Sequence, residues 1–144
     1  MNRAGRGRFN AYSAGSHPKG EVHPEALRLL ASLNYLTGDL RSKSWDEFAT
    51  GLGFDFIVTV CDNAAGEVCP VWPSRPTRAH WGIPDPAAVQ GSPTEVSLAF
   101  AEAYRQLSNR IQLFLALPIE KLDGLAIKRS MDEIGQTQDT AQKV

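Results

Sequence analysis

Scarcity frames this chain of 144 residues: it holds two cysteines, Cys61 and Cys69, two methionines and three histidines. In a reducing compartment, so few cysteines point to catalysis or metal binding rather than to a structural crosslink. Fifteen basic and sixteen acidic residues leave a net charge of -1, which excludes a global field drawing the chain to nucleic acid or to an anionic membrane. The one local excess, Arg3, Arg6 and Arg8, reads as a solvated helix end. No stretch is long and apolar enough to span a bilayer, and Met-Asn-Arg-Ala-Gly-Arg-Gly-Arg at the start lacks the apolar core of a secretory signal. A cytoplasmic location is expected. There are no internal repeats and no low-complexity blocks.

Zinc chemistry is also poorly served. Cys61, Cys69, His80 and one of His17 or His23 make four ligands, but they come from distant segments without a C-x-x-C or H-x-x-x-H pair. His80, between Ala79 and Trp81, suits a hydrogen-bonded structural role, and His17 and His23 flank prolines where exposure is expected. The three tryptophans, Trp45, Trp72 and Trp81, lie in unlike segments without an interleaved basic patch, so they read as packing residues rather than as a stacking platform for bases.

What is present is enough for one domain, residues 1–144, with one core; 42% of the residues are hydrophobic and no composition shift marks a boundary. Phe9 to Ser13 reads as a strand entering the Ala14-Gly15-Ser16 loop. Pro24 opens a helix carrying Leu27, Leu30 and Leu33 until Thr37-Gly38-Asp39, and Ser44-x-x-Glu47 resembles a capping box for a short second helix. Phe54 to Val60, β-branched and with little alternation, predicts a central parallel strand covered on both faces. A proline-rich crossing (Pro70, Pro73, Pro76) precedes a further strand, Thr77 to Trp81, and a turn, Gly82 to Pro86. Ser92-Pro93-Thr94-Glu95 combines an N-cap, a first-turn proline and a capping glutamate. The helix it opens places Val96, Phe100, Ala103, Tyr104, Leu107, Ile111 and Phe114 on one face. Pro118 is expected to end that helix and begin the last one, with Leu122, Leu125, Ala126, Met131 and Ile134 facing inward and 136–144 a polar tail. Alternating strands and helices imply an α/β fold.

Cys61 ends the apolar run, and the hydrophilic stretch Asp-Asn-Ala-Ala-Gly-Glu-Val separates it from Cys69. Two thiols on one pliable connection at a strand terminus suit reversible disulfide chemistry. The competing readings are a strand-end cysteine behaving as a small hydrophobe and a loop thiol without a role.

Four segments, 11–20, 40–48, 58–70 and 79–87, together resemble the arsenate reductases built on the low-molecular-weight protein tyrosine phosphatase fold. Val58-Thr-Val-Cys-Asp-Asn-Ala-Ala-Gly-Glu-Val-Cys-Pro70, followed closely by Ala79-His-Trp-Gly-Ile-Pro-Asp-Pro-Ala87, carries most of the likeness. The resemblance implies a three-layer sandwich around a parallel sheet. It also implies an arsenate or similar oxyanion substrate, no bound cofactor, and an external thiol reductant such as thioredoxin or a glutaredoxin/glutathione system. Cys61 would release arsenite from an arsenic adduct on the primary nucleophile, Cys69 would then attack Cys61, and Asp85 would act as general acid. An Asp-Pro turn fixes a carboxyl in few orientations, and a partly buried carboxyl can donate near neutrality, although such turns are common for purely local reasons.

Family members open with a strand, a phosphate-binding loop of a cysteine, five residues and an arginine, and then a helix. Here Met1 to Phe9 looks like the end of that helix, so roughly twenty residues of strand, loop and helix are missing ahead of it. The expected consequences are a sheet without its first, central strand, weak stability or association through unpaired strand edges, and activity that depends on supply of the nucleophile loop. An inactive remnant binding arsenite, another oxyanion or a protein partner is the alternative. A plain phosphatase needs no relay cysteines.

Overall fold

The computed structural model describes residues 1–49, 53–61 and 74–137. Within them lie four helices, α1 (Asn2–Gly5), α2 (Pro24–Ser32), α3 (Pro93–Leu115) and α4 (Gly124–Gly135), and two strands, β1 (Phe56–Thr59) and β2 (Thr77–His80). The strands pair in parallel, Phe56 with Thr77 through Thr59 with His80. The α/β class and the parallel pairing agree with the sequence pattern. Hydrogen bonds carry the ladder beyond β2, from Trp81 N to the Thr59 carbonyl (2.8 Å) and from Ile83 N to the Val60 carbonyl (3.1 Å). Among the described residues β2 is the only strand that β1 meets.

Phe9 to Ser13 departs from expectation and forms no strand. A strand needs a partner ladder, and here the side-chain amide of Asn2 takes that place: Ala11 N donates to Asn2 Oδ1 (2.7 Å), and Asn2 Nδ2 donates to the Ala11 carbonyl (3.2 Å). Phe9 nevertheless reaches the core. Only at Gly15 does the backbone pair with another segment, in a parallel bridge to Ser44 supported by Gly15 N to Lys43 O and Trp45 N to Gly15 O, both 3.0 Å.

The core forms where β2, α3 and α4 converge. Ala79, Trp81, Phe114, Met131 and Ile134 are buried there, with Phe9, Phe56, Val58 and Ile127 packed against them. Phe114 is its hub, with ring centroids 5.2 Å from Phe56, 5.3 Å from Phe9 and 6.0 Å from Trp81. Met131 has no exposed surface, a burial that stabilises by about 1.5–3 kcal/mol. Trp81 satisfies its indole N–H on the Met131 carbonyl (3.0 Å). A satellite of Tyr12, Phe48 and Phe54 lies to one side, with centroids 5.6 to 5.8 Å apart.

Helix starts follow local chemistry. Ser92 Oγ accepts from Glu95 N (3.2 Å) and Pro93 takes the first helical position, as the sequence requires. The start of α2 uses an unexpected cap, the His23 ring, whose Nδ1 accepts from Glu25 N (3.1 Å). Ser44 caps only a 3-10 turn, Trp45–Phe48, and Glu47 leaves the anticipated capping box to pair with Arg41. Pro118 does not open the last helix. Its ring disfavours helical geometry at Leu117, α3 stops at Leu115, and α4 begins under Asp123, whose Oδ1 accepts from Ala126 N (2.7 Å). Leu125, on the first turn of α4, is 78% exposed rather than inward-facing.

The segment from Gly15 to Ser44, which contains α2, is held to the body along one stripe of α3. Arg28 reaches Ser97 (2.6 Å), the His23 ring lies 4.6 Å from the Phe100 ring, and the Tyr35 and Tyr104 hydroxyls share a hydrogen bond of 2.9 Å. That bond pushes the Tyr104 hydroxyl above its ordinary pKa, with desolvation adding to it. Two of the N-terminal basic trio do more than solvate a helix end. Arg3 stacks 3.6 Å from the Tyr35 ring centroid and donates to the Leu33 and Asn34 carbonyls, while Arg8 donates to the Leu115 carbonyl. No helix among the described residues is long and apolar enough to cross a membrane.

Candidate functional site

Cys61 is half-buried just past the C-terminal end of β1. The turn carrying Asp85 leaves the equivalent end of β2, and the Ile83–Val60 hydrogen bond joins the two segments one residue from Cys61 and two from Asp85. Both predicted groups therefore stand at the carboxyl edge of a parallel pair. Open α/β sheets place ligands at this edge, because the loops that leave the strands converge there. Cys69, with Pro70, Trp72 and Pro73, falls outside the described residues.

Asp85 is exposed rather than partly buried, because its turn runs along the surface between two prolines. One carboxylate oxygen is already engaged, Oδ1 accepting from Ala87 N (2.9 Å) as the cap of a 3-10 turn, Pro86–Ala88. This local bond fixes the carboxyl's direction and leaves Oδ2 for other work. Beside the turn, a cleft of about 640 Å³ is lined by His80, Ile83 and Pro84 from the strand end and by Asp132 and Gln136 from the end of α4.

His80 sits opposite Thr59 in the ladder, and its Nδ1 and Thr59 Oγ1 share a hydrogen bond of 2.7 Å. That is the structural histidine the sequence suggested. Among the described residues, no group of three or more His, Cys, Asp or Glu side chains is arranged to hold a metal ion.

Two features escaped the sequence reading. Arg110 is the one buried charged residue in the described core, 8% exposed, and its Nη1 donates to the carbonyls of Trp81 (3.3 Å) and Gly82 (3.1 Å) at the root of the Asp85 turn. Its signal was positional: Arg110 lies seven residues after Ala103 and four before Phe114, on the buried stripe of α3. The second feature is an interval. Cys69 to Arg75 spans a cysteine, five residues and an arginine, but Arg75 takes a left-handed φ of 50° and leads through Pro76 into β2 rather than into a helix. No helix N-terminus follows it to help hold an oxyanion.

A parallel sheet flanked by helices, with a cysteine and an Asp-Pro turn at its carboxyl edge, is the outline of a phosphatase-like α/β domain. Residues 1–124 match the family described as low molecular weight phosphotyrosine protein phosphatase, and the chain belongs to it. Among curated proteins it is similar to arsenate reductases. That of Halalkalibacterium halodurans is 32% identical over 106 residues, and that of Bacillus subtilis is 30% identical over 108; each alignment covers 74% of both chains. The arsenate reductase of Brevibacillus brevis is 37% identical over a shorter stretch of 79 residues, 55% of this chain and 57% of that protein.

Proposed function

We propose that residues 1–144 carry the general acid and the thiol relay of a thiol-dependent arsenate reductase. The observation that carries this is the joining of the Cys61 segment to the Asp85 turn at one sheet edge through Ile83 N and Val60 O; the similarity to proteins named arsenate reductase supports it. In the proposed relay the family's loop cysteine holds arsenate as an S–As(V) adduct, formed as Asp85 gives a proton to the departing oxygen. The Cys61 thiolate attacks the loop sulfur. The S–As bond breaks, arsenic keeps the electron pair, and arsenite leaves behind a disulfide between the loop cysteine and Cys61. Cys69 then attacks the Cys61 sulfur, returning the loop thiolate and leaving a Cys61–Cys69 disulfide. An external dithiol of the thioredoxin or glutaredoxin type takes that oxidation away by exchange. A cytoplasmic setting, where such reductants act, suits the relay.

The same reading sets β1 and β2 in a three-layer sandwich whose central strand and phosphate-binding loop precede Phe9 in family members. In this chain the residues ahead of Phe9 form one helical turn, Asn2–Gly5. A second reading needs only the two thiols: the pair binds arsenite stoichiometrically without turnover.

Mild oxidation of the 144-residue chain, followed by alkylation and mass mapping, tests the relay. One intramolecular Cys61–Cys69 disulfide, reducible by thioredoxin, is expected. Thiols that stay alkylatable, or that crosslink only between chains, would overturn it. Arsenate turnover with a nucleophile loop fused ahead of Met1, against arsenite binding alone, separates the two readings.

A further inference from the structure

A guanidinium buried in a protein core normally meets a carboxylate, because an isolated buried charge is costly. Arg110 meets none among the described residues. Its Nη1 instead donates to two consecutive backbone carbonyls, Trp81 and Gly82. These carbonyls stand just past His80, the last residue of β2. The next residue, Ile83, is held from the other side by the Val60 carbonyl, adjacent to Cys61. Asp85 follows two residues later and is fixed locally by Ala87 N. The turn is thus gripped between α3, through Arg110, and the end of β1, through Val60.

We propose that Arg110 is a positioning residue: by clamping the Trp81 and Gly82 carbonyls it fixes the Asp85 carboxyl relative to the Cys61 segment. This rests on the role given to Asp85 above. The grip differs from general core stabilisation because both bonds fall on the root of one turn. Other core bonds, such as Trp81 Nε1 to Met131 O, lie on the side of α4. One terminal nitrogen, Nη1, serves both carbonyls, and the planar guanidinium holds that nitrogen in a fixed direction, whereas an ammonium's donors rotate on a flexible stem. Loss of the side chain leaves two carbonyls without their charged donor while the apolar stripe of α3 can still close.

The test compares the 144-residue chain with Arg110→Met and Arg110→Lys by amide hydrogen exchange. In Arg110→Met, exchange at Ile83 and Ala87 is expected to quicken at least tenfold while Met131 and Ile134 in α4 keep their protection. In Arg110→Lys, protection at both amides is expected to return in part, since an ammonium can still donate to the same carbonyls. Unchanged exchange at Ile83 and Ala87 in a folded variant would overturn the proposal. So would uniform loss of protection that includes Met131 and Ile134, which would make Arg110 a general stability residue. Should the oxidation test fail while these shifts appear, the relay falls and the clamp stands.

Discussion

Gly135, the last residue of α4, lies against the end of β2 at a distance only glycine allows. A Cβ there would sit far inside 3.0 Å of the His80 carbonyl oxygen, at 3.0 Å from Trp81 Cδ1 and 3.3 Å from the His80 carbonyl carbon. Neither neighbour yields easily. The carbonyl belongs to the final residue of a paired strand, and Trp81 is buried and anchored through its indole N–H. Gly135→Ala must therefore push α4 off the sheet or distort the strand end, at an overpacking cost of about 1–3 kcal/mol. Alanine's better helix propensity returns at most about 1 kcal/mol, and less at a helix end. The net loss is about 1–2 kcal/mol, which for a chain of this size lowers the melting temperature by roughly 2–8 °C. In urea the midpoint should fall by about 0.5–1 M with an unchanged slope, taking a slope of about 2 kcal/mol/M. Gly124→Ala at the other end of the same helix is the control, since a Cβ there meets nothing within 4 Å; it should change stability by no more than about 0.5 kcal/mol. Thermal and urea unfolding of the three proteins decides the matter. A Gly135→Ala chain as stable as the parent would refute the close approach of α4 to β2.

Two further outcomes are expected. Trp81→Phe removes the indole donor to Met131 O and some buried volume, and should destabilise by about 1–3 kcal/mol by urea unfolding; an unchanged midpoint would show that the bond contributes nothing. The hydrogen bond from Arg41 holds the Glu47 carboxyl below its ordinary range, its charge and that of Lys43 adding to the effect. A depressed carboxylate stabilises the fold above the ordinary value of 4.5 and loses that contribution as pH falls through the folded value. Glu47→Gln should accordingly flatten the acid limb of a melting-temperature profile below about pH 4.5 while leaving its alkaline limb in place.

Legibility in the sequence followed the range of the interactions involved. The start of α3 was readable because Ser92, Pro93 and Glu95 do their work within one turn. The parallel strand at Phe56 to Thr59 was readable from its β-branched run, although its four residues are half-buried rather than covered on both faces. Phe9 to Ser13 misled, since its backbone needs are met by Asn2, a side chain that no periodicity connects to Ala11. Pro118 misled because a proline marks where a helix cannot continue better than where the next one begins. Arg110 was hidden by its type: a cation on an apolar stripe looks like a surface residue until the carbonyls it serves are placed by the end of β2. Cys61 and Asp85 were legible as chemistry, whereas the hydrogen bond joining their segments arises only when β1 and β2 align.

The three holdfasts of the Gly15–Ser44 segment, at Ser97, Phe100 and Tyr104, follow one another at three and four residues on α3, while Ala103, Arg110 and Phe114 keep to the sheet side of the same rod. No residue of α2 is buried. The excursion is therefore a layer latched along α3, pinned from α1 by Arg3 on Tyr35, Leu33 and Asn34, and closed at its neck by the Gly15–Ser44 bridge. Because few of its side chains are buried, this outer layer has less to lose on opening than the sheet beneath, so local opening is expected there first, once both anchors let go.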